Sequence, residues 1–353
     1  MSSRIMPDAL DTFCRSVLAA LGASEATIDA ATRAMMHASR LGVDSHGVRL
    51  LDHYVRALTH GRVNKTPKME LARNGAIATL DADDAHGALA AYTAMDEAVR
   101  LASEFGIGAV AIGNSSHFGP AGAFAHAAAN AGMIGVVMCN SDSFVRLHDG
   151  AARFHGTNPI SCAVPVEGAR PWLLDMATSA IPYNRVQLYG SLDRQLPPDT
   201  GSDGRGEETR EPELVEMLAP LGGAFGFKGA GLAGMVEIFS AMLSGMRFSS
   251  EIAPMGGPDF STPRRLGAFV LAIRPDAFTN QHTFSDGMRR YLTALRNSPA
   301  RAERTVMAPG DREWAEADRR ESQGIPLDPA TLEAFRGLAE RFKLKMPILM
   351  RDS

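Results

Sequence analysis

The sequence has no surplus of positive charge and few cysteines, and both shortages narrow the kind of protein that it can encode. Its 353 residues carry a formal net charge of −4 without a basic cluster, so a surface that binds nucleic acid is not expected. The three cysteines, Cys14, Cys139 and Cys162, lack CxxC spacing, which disfavours a disulfide framework and a thiolate zinc site. We therefore expect a protein of the reducing cytoplasm.

Membrane segments and several catalytic signatures are missing as well. No apolar run is long enough to span a bilayer, and the N-terminus lacks the pattern of a signal peptide. Neither HExxH nor HxH spacing occurs, so we expect no metal, and the absence of a GxSxG elbow disfavours hydrolase chemistry. Hydrophobic residues make up 45% of the chain, which is enough for a sizeable core.

Hydrophobic periodicity predicts an α/β protein that begins with helices. Two helices are expected from Asp8 to Leu41, separated at Gly22-Ala23-Ser24, and a third over Leu50–Leu58. A single strand is expected over Met69–Asp81. Later helices are expected at Gly87–Ala102, Ala123–Ala131, Phe225 to about Leu243, Thr283–Arg296 and Pro326–Phe342, and later strands at Ile107–Ile112, Ile134–Cys139, Ile160–Val164, Trp172–Asp175 and Leu266–Ile273. The polar stretch Asp193–Glu213 is predicted to be an exposed loop or lid.

One stretch suggests a site of proton transfer. In Arg40-Leu41-Gly42-Val43-Asp44-Ser45-His46-Gly47-Val48-Arg49, His46 stands beside Ser45 and between two glycines. An imidazole exchanges protons near neutral pH, and a neighbouring arginine can hold a carboxylate. The alternative is a histidine that caps a helix junction. Nearby, His53 is interpreted as part of a solvated helix face.

Three further positions have both a functional and a structural interpretation. His117 follows a strand and a turn bounded by Gly113 and Gly119, so the turn either meets a phosphate at the next helix or is simply tight. This turn has no GxGxxG fingerprint with a downstream ribose-binding acid. Asp175 ends a hydrophobic strand and either closes a turn or contacts a cofactor. Lys228 opens an apolar helix, where a cation opposes the helix dipole unless it binds an anion.

Six blocks in this order resemble the malate/L-lactate dehydrogenase family, which includes sulfolactate, ureidoglycolate and 2,3-diketogulonate dehydrogenases. The resemblance covers nearly the whole chain. The blocks are Gly42-Val-Asp-Ser-His-Gly-Val-Arg-Leu-Leu with Tyr54, Asn114-Ser-Ser-His-Phe-Gly, Gly156-Thr-Asn-Pro, Leu174-Asp-Met-Ala-Thr-Ser, Phe227-Lys-Gly-Ala-Gly-Leu-Ala with Glu237, and Pro309-Gly-Asp-Arg-Glu.

The resemblance implies an NAD(P)-dependent homodimer that interconverts a 2-hydroxy acid and a 2-keto acid, built on the non-Rossmann α/β fold of sulfolactate dehydrogenase. His46 would be the acid/base, with Ser45 as its neighbour in a relay. The implied substrate contacts are Arg49, Tyr54, Thr157 and Arg185. The implied cofactor contacts are His117, Phe118, Gly119, Pro120, Ala121, Asp175, Met176, Ala177, Lys228, Gly229, Pro309, Gly310 and Asp311. Residues 76–274 would form the NAD(P)-binding domain, with a lid near 193–213, and residues 1–75 would join 275–353.

The chain departs from its relatives at the positions that would choose the substrate. Many members have an arginine four residues after the histidine, where this chain has Leu50 and places Arg49 one position earlier. Thr200 replaces a tryptophan of the lid. The imine-reducing branch has an aspartate where this chain has Asn184-Arg185, which favours hydroxy-acid chemistry. A reductase of cyclic imino acids such as piperideine-2-carboxylate, a reductase of larger keto acids, and a non-redox ligand-binding homologue stay as alternatives.

Overall fold

The computed structural model describes residues 3–350, which form ten helices and thirteen strands. The helices are α1 Pro7–Ala20, α2 Glu25–Arg40, α3 Leu51–His60, α4 Gly87–Phe105, α5 Ala121–Asn130, α6 Tyr183–Ser191, α7 Gly226–Glu237, α8 Gln281–Arg296, α9 Asp311–Gln323 and α10 Pro329–Phe342. The strands are β1 Ser3–Ile5, β2 Glu70–Asn74, β3 Ile77–Asp81, β4 Ile107–Ser115, β5 Ile134–Cys139, β6 Val145–Arg146, β7 Arg153–His155, β8 Ile160–Val164, β9 Trp172–Met176, β10 Gly201–Ser202, β11 Met217–Leu218, β12 Leu266–Ile273 and β13 Ile325–Leu327.

Most of the predicted helices and strands are confirmed, and the differences have local causes. The single strand predicted over Met69–Asp81 is wrong, because Gly75 adopts a positive φ of 58° and turns the chain into the hairpin of β2 and β3. Helices α6 and α9 were not predicted, because neither has a strong apolar stripe. Charged residues dominate α9. No helix in residues 3–350 is long and apolar enough to cross a membrane.

A seven-stranded mixed sheet forms the centre of the molecule. Its strand order is β2-β3-β4-β12-β5-β8-β9, and only β3 and β4 run parallel. Strand β12 shows how both faces are covered: Val270 belongs to the core beneath α4 and α5, whereas its neighbour Phe269 packs at 5.0 Å against Phe239 in the π-helical continuation of α7, Ile238–Met242. This is not the parallel, doubly wound sheet of a Rossmann fold.

One glycine pattern in the chain resembles a dinucleotide fingerprint but is placed differently. Gly229, Gly231 and Gly234 have GxGxxG spacing, yet all three lie inside helix α7 rather than at a turn between a strand and a helix. The fingerprint binds phosphate only at such a turn, where backbone N–H groups are free. The spacing of these three glycines is therefore not a dinucleotide fingerprint. Gly229 alone packs closely, against the backbone of Leu221, whereas a Cβ at Gly231 or Gly234 would meet no atom within 4 Å.

A second hydrophobic core lies in a helical layer made from both ends of the chain. Helices α1, α2, α3 and α10 enclose it, and the antiparallel pair β1–β13 joins the two ends. Phe13 and Phe335 meet there with ring centroids 5.0 Å apart. Helix α9 belongs instead to the core of the sheet through Trp314. The boundaries of the two domains stay a prediction.

The predicted lid is largely exposed, as expected, but it is anchored to a small sheet. Strands β10, β11, β6 and β7 form four neighbouring strands next to the central sheet. Thr200, which replaces the family tryptophan, is buried at its base and donates its hydroxyl to the carbonyl of Pro197 at 2.7 Å. Thr200 therefore stabilises its own turn.

Close packing of α4 on β4 depends on a glycine, which gives a test of the fold. A Cβ at Gly108 would lie 2.1 Å from the carbonyl oxygen of Ala98, so we expect Gly108→Ala to lower the free energy of unfolding by roughly 1–3 kcal/mol. A Cβ at Gly337 on α10 would meet no neighbouring atom within 4 Å. Gly337→Ala should instead raise stability by about 0.5–1 kcal/mol. Urea denaturation of both variants measures this, and a loss in both would contradict it.

Candidate active site

His46 ends a 3₁₀ turn, Asp44–His46, that connects α2 to α3. The hydroxyl of Ser45 lies 2.9 Å from Nδ1 of the imidazole. Among the described residues this hydroxyl is the ring's hydrogen-bonding partner, so the imidazole caps no backbone group. A glycine is needed at position 47, because a Cβ there would lie 2.1 Å from the hydroxyl of Ser39. That hydroxyl accepts the backbone N–H of Val48 at 2.9 Å. The local geometry favours the proton-transfer interpretation over the capping one.

Arg320 of α9 holds this turn in place, although its role was not predicted from the sequence. Its guanidinium is buried, donates to the carbonyl of Ser39 at 2.7 Å, and holds both carboxylate oxygens of Asp44, one of them at 3.0 Å. Glu316, one helical turn earlier, pairs with the same guanidinium. Such a forked pair restricts orientation as well as distance, so Asp44 serves to position the turn that carries Ser45 and His46.

His117 approaches His46 from the sheet. The two imidazole rings are nearly parallel, with centroids 5.9 Å apart, and Nδ1 of His117 lies 2.9 Å from the hydroxyl of Tyr54 on α3. Burial raises the pKa of Tyr54 and lowers that of His117, so both are neutral. The hydroxyl and the ring nitrogen thus share one hydrogen bond, in which Tyr54 donates when the proton of His117 is on Nε2.

Two further histidines surround Tyr54. His86 accepts the N–H of Ala88 on Nδ1 at 3.2 Å, and its ring meets that of Tyr54 edge to face at 4.2 Å. His53 packs against Tyr54, His117 and Phe260. The interpretation of His53 as part of a solvated helix face is therefore wrong, because Phe260 from the segment before β12 covers it.

Burial keeps this group of histidines uncharged. It lowers the pKa of His86 to about 3 and that of His53 to about 4, and the positive charge of Arg264 lowers the latter further. Arg264 is 2% exposed, pairs with Asp142, and donates Nε to the carbonyl of Ala253 at 2.8 Å. Burial likewise lowers the pKa of His46. The imidazole of His46 is thus neutral at physiological pH.

A cavity of about 310 Å³ opens beside this histidine group. Four of the predicted cofactor residues line it, namely Pro120, Asp175, Pro309 and Gly310. Asp175 accepts the N–H of Gly122 at 2.8 Å, in the first turn of α5, and a Cβ at Gly122 would lie 2.7 Å from the same carboxylate oxygen. The side chain of Asp175 is exposed where it faces the cavity, and desolvation by the neighbouring protein raises its pKa to about 6.

Gly119 connects the cavity with the histidines. It has a positive φ of 80°, and a Cβ there would lie 3.5 Å from the Tyr54 hydroxyl and 3.8 Å from the carbonyl of His46. The next residue, Pro120, lines the cavity. The turn after β4 therefore runs from His117 to the cavity wall, so a ligand in the cavity could extend towards the imidazoles.

Thr157 lies on a turn held by a buried carboxylate. Glu237 accepts hydrogen bonds from the side-chain amides of Asn158 at 2.9 Å and Asn140 at 3.1 Å. Next to these, the backbone N–H of Thr157 donates to the hydroxyl of Ser141 at 3.1 Å. This network explains why Glu237 accompanies the Lys228 block in the sequence: it joins α7 to the loops after β5 and β7.

Comparison with known proteins identifies the family. Residues 5–336 match the family model for malate/L-lactate dehydrogenase. The chain belongs to the malate/L-lactate dehydrogenase family. A malate dehydrogenase of Pyrococcus abyssi is 34% identical over 351 residues, covering 97% of this chain and 96% of that protein.

Other relatives in this family have different substrates and cofactors in their names. The ureidoglycolate dehydrogenase (NAD(+)) of Escherichia coli strain K12 is 30% identical, covering 83% of each chain. The (2R)-3-sulfolactate dehydrogenase (NADP(+)) of Chromohalobacter salexigens is 30% identical, covering 96% of this chain and 99% of that protein. The solved sulfolactate dehydrogenase of Methanocaldococcus jannaschii superposes with a TM-score of 0.90 at 25% identity, covering 97% and 98%. The predicted family, its dehydrogenase class and its non-Rossmann fold are confirmed.

Several of the predicted site residues do not line the cavity. Arg49 is exposed, and so is Arg185 on α6. Lys228 is exposed in the first turn of α7, with Nζ 5.2 Å from the centroid of the Phe225 ring. Asp311 forms a forked pair with Arg296 at 2.6 and 3.0 Å, which stabilises the turn at Pro309 and Gly310.

The remaining predicted contacts differ in how much of the side chain is accessible to a ligand. Phe118 is buried in the core of the sheet, 5.0 Å from Phe124, so only its backbone is available to a ligand. Ala121 is the first residue of α5 and is also buried. Met176 and Ala177 are half-buried after Asp175. Gly229 packs its backbone against Leu221, where a Cβ would lie 2.1 Å from the carbonyl oxygen. These assignments stay predictions.

The buried histidines should make the enzyme sensitive to acid. In the unfolded chain a histidine with a pKa near 6.5 binds a proton as the pH falls, whereas folded His86, with a pKa of about 3, does not. Acid therefore favours the unfolded chain between about pH 6.5 and 3. We expect His86→Asn, which can still accept the N–H of Ala88, to reduce the stability lost between pH 7 and pH 5 by about 2 kcal/mol.

Urea denaturation at the two pH values measures this effect. Exposed His60, at the end of α3, provides the control, and His60→Asn should lose as much stability in acid as the wild type. An equal acid sensitivity in wild type and His86→Asn would contradict the lowered pKa of His86.

Proposed function

We propose that the protein is an NAD(P)-dependent dehydrogenase that interconverts a 2-hydroxy acid and a 2-keto acid, with His46 as the acid/base. The observation that carries this proposal is the placement of neutral His46, held by Ser45, opposite His117 beside the cavity. Family membership supports the reaction class. Relatives with NAD(+) and NADP(+) in their names support the cofactor pair.

The residues that line the cavity fit a dinucleotide. Its apolar residues offer a surface for flat rings, and its polar side chains, Asp175, Arg312, Glu313 and His37, offer hydrogen-bonding groups to ribose and phosphate. When bound, the nicotinamide supplies the hydride acceptor or donor. Pro120, Asp175, Pro309 and Gly310 are the proposed contacts, together with the other predicted cofactor residues.

His46 moves the proton that accompanies the hydride. For oxidation, neutral His46 donates Nδ1–H to the Ser45 hydroxyl, and its free Nε2 accepts the proton of the substrate hydroxyl. For reduction, the same nitrogen returns a proton to the carbonyl oxygen. The ring of His117 lies 5.9 Å from that of His46, and a Tyr54 hydroxyl that donates to its Nδ1 would leave Nε2–H as a donor that can stabilise negative charge on the substrate oxygen.

The proposed substrate contacts differ in burial and in their hydrogen-bonding partners. Thr157 is half-buried on a turn that the Glu237 network holds rigid. Arg49 and Arg185 are exposed, and within residues 3–350 neither has a carboxylate within 4 Å, so both guanidinium groups are available to a substrate acid. The hydroxyl of Tyr54 is hydrogen-bonded to His117, so Tyr54 affects the substrate through that imidazole.

A panel of keto acids tests the reaction class. Purified protein should oxidise NADH or NADPH with a 2-keto acid such as pyruvate or oxaloacetate, and piperideine-2-carboxylate in the same panel tests imine reduction. Reaction with the imine alone would replace the proposed substrate class. Binding of neither cofactor would favour a non-redox protein.

His46→Gln should lower kcat by about 10²–10⁴-fold, because a glutamine amide cannot exchange a proton at physiological pH. The Kd for NADH should stay within about twofold, since His46 is not in the cavity wall. The matched control is His60→Gln, at an exposed histidine outside the site. Retained turnover in His46→Gln would disprove its role.

The proposed assembly is a homodimer. From residue 229 to residue 246 the only charged side chain is Glu237, which is buried. The exposed side of α7 and its continuation is instead apolar, with Ile238, Met242 and Leu243 each more than half exposed. Such a patch on a helix is typical of a protein interface, and one self-complementary patch suits a twofold dimer.

Ile238→Glu should convert the dimer to a monomer, because a carboxylate would be buried without a partner in the interface. Ile238 is 55% exposed, and Ile77 on β3 is similarly exposed at 53% outside this patch. Ile77→Glu should therefore leave the dimer intact. Sedimentation velocity measures both, and a wild-type monomer would contradict the proposal.

The cytoplasm is the proposed compartment. Its support is that Cys14, Cys139 and Cys162 are all free thiols, as is usual in a reducing environment.

A further inference from the structure

A second cavity, of about 340 Å³, lies behind the first. His37 and Leu41 line both cavities, so the two cavities adjoin at these side chains. The second cavity is walled by α1, α2 and α5, by Arg170 before β9, and by Trp314 on α9. A group attached to a ligand in the first cavity could therefore enter the second.

The charged lining of this cavity is positive. It contains the arginines Arg15, Arg33, Arg40 and Arg170 but only two carboxylates, Asp11 and Asp29. Arg15 uses both carboxylates, at 2.7 and 3.0 Å. The remaining three arginines thus face the cavity without a carboxylate from its lining. The histidines in the wall do not add charge, because burial lowers the pKa of His37 to about 3 and that of His126 to about 4.

Arg33 and Arg170 both lie over aromatic rings. The guanidinium carbon of Arg33 lies 4.2 Å from the ring centroid of Tyr92, and that of Arg170 lies 5.4 Å from the ring centroid of Trp314. Stacking fixes the plane of a guanidinium while leaving the N–H groups at its edge free. In residues 3–350, Arg33 has no carboxylate within 4 Å, and Arg170 has one exposed partner, Asp318.

Arg40 is also weakly paired. Its nearest carboxylate oxygens are those of Glu321 at 3.6 Å and Asp8 at 3.9 Å, on side chains that are largely exposed to solvent. Its Nε and Nε2 of His37 are buried atoms without a hydrogen-bond partner. Guanidinium groups that converge on a cavity with unused donors match the oxygens of a phosphate.

We propose that this second cavity binds a phosphate monoester, the 2′-phosphate of NADP(H), with Arg33 and Arg40 as its principal contacts. The proposal rests on the proposed function, since it assigns the dinucleotide to the first cavity. It makes NADP(H) the preferred cofactor. A free phosphate has the same chemistry and is the alternative source of the ligand.

Equilibrium binding tests this without turnover. Fluorescence titration of the wild type should give a Kd for NADPH at least tenfold lower than that for NADH. Arg33→Gln should raise the Kd for NADPH about tenfold, as loss of a charge-assisted hydrogen bond implies, and change that for NADH less than twofold. Arg336→Gln, the same change on the exposed face of α10, should alter neither.

Calorimetry with 2′,5′-ADP, 5′-AMP and inorganic phosphate distinguishes the sources. Preference for 2′,5′-ADP over 5′-AMP that Arg33→Gln removes would support the proposal. Equal binding of NADPH and NADH, or an equal loss of both in Arg33→Gln, would overturn it while leaving the proposed function intact. Binding of inorganic phosphate alone would replace the 2′-phosphate with a free phosphate. Failure of the wild type to bind either dinucleotide would overturn the proposed function as well.

Discussion

The candidate site depends on polar contacts across the boundary between two separate hydrophobic cores. His46 and Tyr54 belong to the helical layer, whereas His117 and Arg320 come from elements of the central sheet's core. Two contacts join the layers here: the Tyr54–His117 hydrogen bond and the pairing of Arg320 with Asp44. Buried polar groups must find partners, so these contacts fix the layers together in the position that brings the imidazoles face to face.

Burial then determines the chemistry of that boundary. Desolvation lowers the pKa of every histidine in the group, and the buried cation Arg264 acts in the same direction on His53 and His117. Neutral imidazoles suit a base that accepts a hydroxyl proton at physiological pH. Burial of the imidazoles also lowers the stability of the fold in acid, because the histidines bind protons in the unfolded chain but not in the folded site. The chemistry of the proposed reaction and the acid sensitivity of the fold thus have one cause.

Carboxylates in this protein mostly position other groups. Asp44 holds a turn through Arg320, Asp311 holds a turn through Arg296, and Glu237 joins the loops that carry Asn140 and Asn158. Asp175 differs from these three, because it lines the first cavity and has a raised pKa. Among the arginines of the second cavity, Arg15 is paired with two carboxylates, whereas Arg33 is stacked on a ring and has no carboxylate within 4 Å in residues 3–350. The distribution of paired and unpaired guanidinium groups is what distinguishes structural arginines from candidate ligand contacts here.

The sequence by itself determined most of the element pattern and the family, and it indicated His46 as a candidate acid/base. Strong local periodicity defines α1 to α5 and the central strands, and the Ser45-His46-Gly47 block was recognisable by its resemblance to the family. The structure adds the reason for the glycine, since a Cβ at Gly47 would collide with Ser39. Elements without an apolar stripe, such as α6 and α9, were not predictable in this way.

Only the tertiary structure decided which distant residues share a site. Tyr54 and His117 are 63 positions apart, and Asp44 and Arg320 are 276 apart. His53 and His86 have no sequence signal that separates them from surface or core histidines, because their surroundings come from other parts of the chain. Arg33 and Arg40 on an early helix likewise meet Arg170 only through folding. Local pattern fixes secondary structure, but burial and charge at a site are sums over non-local neighbours, which a sequence pattern does not contain.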